Sequence, residues 1–95
     1  IIILAPFVLE GPATADRPDQ PDRYKKFRAG VEEMALIEKR LAEKYGIKFV
    51  ELQSLFDKAS EKTKPTDLLS DGVHPTAKGH ELIMNEWLKA FEEIK

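Results

Sequence analysis

Two residues able to carry a proton stand three positions apart in Ser70-Asp71-Gly72-Val73-His74-Pro75-Thr76-Ala77-Lys78-Gly79-His80. Proline after His74 disfavours the α region for the histidine and pushes it towards an extended conformation. Asp71-Gly72 is a turn signal, because glycine takes a positive φ without steric cost. Pro75 suits the first position of the closing helix, where its missing N–H leaves nothing unpaired. The spacing therefore predicts His74 at the mouth of a helix, with Asp71 on the adjoining turn. A carboxylate placed there accepts one imidazole N–H, fixes the tautomer and leaves the other nitrogen outward as a general base. Those are the orienting and basic members of a nucleophilic triad. The competing reading is a turn and helix cap with an incidental histidine.

The elements that would position this pair form an α/β pattern. Ile1 to Leu9 is a nearly continuous apolar run, the mark of a strand buried on both faces in a parallel sheet. Glu10-Gly11-Pro12 ends it, and the proline- and aspartate-rich stretch to Asp22 is loop. Leaving the carboxyl end of a parallel strand, that loop could rim a ligand pocket. Asp22 is the expected N-cap of a helix over Arg23–Tyr45. Tyr24, Phe27, Val31, Met34, Ile37, Leu41 and Tyr45 recur at helical spacing and form its expected core stripe, with Gly46 as the stop. Ile47–Leu52 reads as a second strand, so strand, helix and strand make a right-handed βαβ unit. A short helix over Ser54–Glu61 and a polar loop over Lys62–Thr66 follow. The last helix is expected from Pro75 to Glu93, burying Ile83, Trp87, Ala90, Phe91 and Ile94.

Composition narrows the function classes. Ninety-five residues suit one small domain, and 42% hydrophobic with 34% charged residues is a globular balance. Fifteen basic against seventeen acidic residues, a net charge of −2, leave no basic patch for nucleic acid. No apolar run approaches the ~20 residues of a membrane span. Cysteine is absent, which excludes disulfides and thiolate metal sites and fits the cytoplasm. Asp71, His74, His80 and Glu81 lack the spacings of a zinc site, so neither metal nor cofactor is expected.

Asp71-x-x-His74-Pro75, then Thr76-Ala77-x-Gly79-His80 and a closing amphipathic helix, resembles the last block of the SGNH (GDSL-type) hydrolases. The resemblance implies a three-layer, flavodoxin-like α/β fold with parallel strands flanked by helices, of which residues 1–95 would be the C-terminal part. It implies Asp71 as orienter and His74 as base and acid in a serine esterase or lipase that cleaves a small carboxylic ester through an acyl-enzyme. None of Ser54, Ser60 and Ser70 stands in a G-x-S-x-G elbow or a G-D-S-type turn, so the nucleophile is expected upstream. The chain by itself is then expected to be inactive. Val73, between the pair, is a candidate for lining the acyl pocket. The edge of Ile1–Leu9 is expected to pair with the missing N-terminal half or with a second copy of the chain. The alternative function is a non-catalytic α/β interaction module whose Asp71–His74 turn is structural.

Overall fold

The computed structural model describes residues 1–94. Strand β1 (Ile2–Leu4) pairs in parallel with β2 (Lys48–Val50), Ile2 opposite Lys48 and Leu4 opposite Val50. Helix α1 (Arg23–Tyr45) makes the crossover between them. Helices α2 (Leu52–Ala59), α3 (Pro65–Leu68) and α4 (Ala77–Ile94) follow. The parallel strands, the crossover helix and its end at Gly46 agree with the sequence reading. Gly46 has φ 65°, and its N–H and that of Ile47 both donate to the Ala42 carbonyl, which closes the helix.

The first strand is shorter than Ile1–Leu9. Its ladder extends to the Ala5 N–H, which donates to Val50 O, and then the chain leaves the sheet. Beyond Pro6 the backbone finds other partners. The buried amide of Gln53 pairs with Val8 in both directions, accepting its N–H at 2.8 Å and donating to its carbonyl at 2.9 Å. Gln53 also donates to Asp57 Oδ1, and Asp57 takes a forked pair of bonds from Arg28 at 2.9 and 2.5 Å. That fork, with help from Tyr24 and Glu32, holds the Arg28 guanidinium even more firmly protonated than usual. One polar chain thus ties α1 to α2 and α2 to the segment after β1.

Strand alternation sends Ile2, Leu4 and Val50 to one face, where they meet Leu9, Leu52, Phe56, Leu68, Leu69 and Ala90. Leu82 and Ile83 of α4 close over this cluster, and Phe7 stacks on Phe56 with ring centroids 4.7 Å apart. Helix α1, which touches β2 but contributes nothing to that cluster, covers the opposite face.

The largest departure from the sequence pattern lies on the long helices. Helix α1 buries Ala35 and Ala42, with Tyr24, Arg28, Val31 and Glu38 half-buried beside them. Phe27, Met34, Ile37, Leu41 and Tyr45, the other five residues of the expected core stripe, are exposed, from 39% at Phe27 to 64% at Tyr45. The reason is geometric. Twenty-three residues make a helix of about 34 Å, whereas three-residue strands reach about 10 Å, so most of α1 has no sheet beneath it. On α4, Ala90 is buried and Ile83 half-buried as expected, but Trp87, Phe91 and Ile94 are exposed, Trp87 stacking on Phe91 instead.

Helix starts also differ from expectation. Asp22 precedes α1 with φ 64° and makes no side-chain cap; the Asp16 carboxylate accepts the Tyr24 N–H at 3.0 Å instead. Pro65 and Thr66 of the expected loop wind, with Asp67 and Leu68, into α3, Pro65 in its first turn. Helix α2 starts at Leu52, two residues earlier than predicted.

Phe56→Ala is expected to cost about 3–5 kcal/mol, because that ring is fully buried. Leu41→Gln should stay within about 0.5 kcal/mol, as for other exposed positions. Urea unfolding of both variants checks the difference; a Leu41 cost comparable to that of Phe56 would mean that the α1 stripe is covered.

Candidate active site

The motif lies on a narrow loop whose two ends are stitched together. Leu69 and Pro75 form an isolated antiparallel bridge, and the Ser70 N–H donates to His74 O at 2.9 Å. Thr76 N–H donates to Leu68 O, which fixes the exit from the loop. Pro75 is therefore not in the first helical turn, as its position suggested. Thr76 is the N-cap: its Oγ1 accepts the Gly79 N–H at 3.1 Å, its carbonyl accepts the His80 N–H, and α4 begins at Ala77. The same hydroxyl donates to Asp67 O at 2.7 Å and so fastens the cap to the end of α3. Thr76-Ala77-x-Gly79 carries this signal in the sequence, threonine just ahead of the helical pattern.

Inside the loop, Asp71 uses both carboxylate oxygens. Oδ1 accepts the backbone N–H groups of Val73 at 2.9 Å and His74 at 2.8 Å. Oδ2 lies 2.7 Å from His74 Nδ1. These donors hold the Asp71 carboxyl well below the usual carboxylate range, the His74 backbone N–H contributing most, then its ring, then the Val73 N–H. An ionised Oδ2 can only accept, so the proton of a neutral ring sits on Nδ1. Nε2 then carries a lone pair, on a side chain that is 78% exposed. Asp71 is more sheltered, with 32% of its side chain exposed. The arrangement can take a proton from a group brought to Nε2 and return it to a leaving group, with the resulting imidazolium balanced by the carboxylate.

Other candidates do not join this pair. Val73 is exposed on the same loop, linked to Asp71 through its backbone N–H. His80 is exposed in the first turn of α4. Ser70 Oγ contacts the His74 carbonyl at 3.3 Å and Ser60 Oγ donates to Asp57 O, so both serve the backbone. Ser54 is exposed on α2. Among the described residues, no group of three or more His, Asp or Glu is placed to hold a metal. No helix among them is long and apolar enough to cross a membrane.

Gly11 and Thr14 lie against the loop, and Gln53 holds the segment at Val8; the sequence reading gave none of them a part in the site. Their only sequence signal is position, a threonine behind Gly11-Pro12 and a glutamine opening a helix. The contacts that matter are long-range or through the backbone.

The folded-state carboxyl of Asp71 titrates below its unfolded value near ~3.9. Its contribution to stability is therefore complete above that value and is lost as pH falls through the lower, folded one. The stability difference between the wild type and Asp71→Asn should shrink progressively below about pH 4. Urea unfolding at a series of pH values measures it, and a difference that does not change on acidification would contradict the geometry.

No family model and no curated protein matches the sequence. Solved structures do. An acetylxylan esterase from Geobacillus stearothermophilus is similar at 26% identity and a TM-score of 0.71, over 95% of this chain and 36% of its own. An alpha/beta hydrolase enzyme from the metagenome of Lake Arreo, Spain, is similar at 30% identity and 0.72, over 94% and 36%. A GDSL-like lipase from Parabacteroides merdae is similar at 29% and 0.67, over 95% and 38%. The chain thus spans little more than a third of the length of these structures. Matched structures of the acetylxylan esterase include catalytic mutants with alanine in place of a serine, a histidine or an aspartate. In that protein the aspartate precedes the histidine by three positions.

Proposed function

For a chain with the α/β fold of the C-terminal part of the SGNH (GDSL-type) hydrolases, we propose that residues 1–95 supply the acid–base half of a serine esterase. Asp71 orients the ring, and His74 takes the proton from a serine hydroxyl and returns it to the leaving alcohol. The serine and the oxyanion donors come from an N-terminal portion of the domain, and the chain by itself does not turn over esters. The observation that carries this reading is the 2.7 Å contact between Asp71 Oδ2 and His74 Nδ1, with the rest of the ring open to solvent. The spacing of aspartate and histidine in the catalytic mutants of the acetylxylan esterase supports it. The substrate class is a small carboxylic ester, with acetylated carbohydrate the first to try, given the name of that esterase. In this reading Val73, exposed beside His74, touches the acyl group, and the location is cytoplasmic.

The sheet supports a partner for this half. Strand β1 pairs with β2 on one edge, and among the described residues nothing pairs with the other. Apolar faces of α1 and α4 are open as well. An unpaired apolar edge is a template for another strand. We assign it to the N-terminal portion, with a second copy of this chain as the alternative. A different function, an interaction module, draws support from the two backbone N–H groups on Asp71 Oδ1, since such a turn is useful without catalysis.

Kinetics separate the two. In the protein that joins this chain to its serine-bearing portion, Asp71→Asn should lower kcat for p-nitrophenyl acetate by about 10⁴. His74→Ala should abolish most of the activity, His80→Ala should change it little, and the 95-residue chain should stay at background. Equal, small losses for Asp71 and His74 would favour the structural turn.

A further inference from the structure

The carboxylate of Asp71 can orient a ring only if its own backbone is fixed, and the segment that fixes it lies sixty residues upstream. Thr14 is fully buried in the loop that follows the first strand. Its hydroxyl donates to Leu9 O at 2.7 Å and accepts the Gly11 N–H at 3.0 Å, which draws residues 9–14 into a closed turn. The Thr14 and Ala15 N–H groups both donate to Gly11 O and complete it. Two backbone donors then leave the turn for the motif. Leu9 N–H donates to Gly72 O and Ala13 N–H donates to Asp71 O, each at 2.9 Å.

The two segments meet with no side chain between them. A Cβ on Gly11 would stand 2.5 Å from Asp71 C and 2.6 Å from Gly72 N. A Cβ on Gly72 would stand 2.6 Å from Thr14 Oγ1 and overlap Leu9 O, and Gly72 has φ 99°, a conformation side chains rarely adopt. Thr14 Oγ1 is thus the buried polar atom around which the turn closes, and it lies against Gly72, the residue next to Asp71. Buried backbone groups need such partners, so removing the hydroxyl frees both Leu9 O and Gly11 N at the point of contact.

We propose that the turn over residues 9–14 is a clamp for the Asp71–His74 pair and that Thr14 is a positioning residue, acting on the ring through the Asp71 backbone. The clamp itself rests on the geometry; its consequence for catalysis rests on the esterase reading above.

Hydrogen exchange in the 95-residue chain tests the clamp without any ester. The Val73 and His74 amides donate to Asp71 Oδ1, so their protection reports where that carboxylate stands. In Thr14→Val, which keeps the shape and loses the hydroxyl, both should exchange about tenfold faster relative to the Phe56 amide of the core. Thr14→Ser should restore wild-type protection. Unchanged Val73 and His74 exchange in Thr14→Val, or loss matched by an equal loss at Phe56, would overturn the proposal. Should the valine variant not fold, Thr14→Ala against Thr14→Ser makes the same comparison, and equal protection in those two would overturn it. In the joined protein, Thr14→Val should lower kcat with KM unchanged. If exchange responds while kcat does not, the esterase reading fails and the clamp stands.

Discussion

The Asp71 carboxylate is the point on which the site depends. It accepts three N–H donors from the residues just after it, two from backbone and one from an imidazole. The backbone pair shapes the turn, and the turn delivers His74 to the remaining oxygen. A single ionised group therefore does two things: it closes the loop, and it holds the ring proton on Nδ1, where the NH2 of a neutral amide would instead donate. The low proton affinity of Asp71 is a consequence of those same donors. Shape, tautomer and charge are one interaction here.

The rest of the fold can be understood as what keeps that carboxylate still while leaving the ring open. Leu68 and Leu69, both fully buried, anchor the entry to the loop, and Thr76 anchors its exit to the end of α3. Phe56 and Leu52 of α2 fill the space beneath, and Gln53 of the same helix stands in for a missing strand partner at Val8. The strands themselves are short. What they contribute is direction, because parallel strands bring the segment after β1 to the same end of the sheet as the motif loop. The outline is elongated, 48 × 27 × 18 Å, and apolar residues stay open along α1 and α4.

Much of this was legible in the residues. Asp71-x-x-His74-Pro75 announced the pair because each residue has a local reason for its conformation. The helix over Arg23–Tyr45 and its glycine stop were equally local, and the structure agrees with them; of the apolar run at the start only Ile2–Leu4 is strand. What could not be read depended on distance in the sequence or on the size of the sheet. The periodicity of Phe27, Met34 and Leu41 identified an apolar face and could not say that short strands would leave it open. Asp16 capping α1, eight residues before Tyr24, and Thr14 closing the turn against Gly72 are tertiary facts with weak local signatures. Pro75 was misplaced by two residues because a competing cap, Thr76, followed it.

The central claim is that Asp71 sets His74 with its bare nitrogen outward, and the tautomer of that ring tests it most directly. Long-range proton–nitrogen correlation spectra of the 15N-labelled chain, recorded where the ring is neutral, distinguish a protonated from a bare imidazole nitrogen. The account predicts Nδ1 protonated and Nε2 bare in the wild type, with the proton moving to Nε2 in Asp71→Asn. A wild-type ring protonated on Nε2, or a pattern indifferent to that substitution, would contradict it.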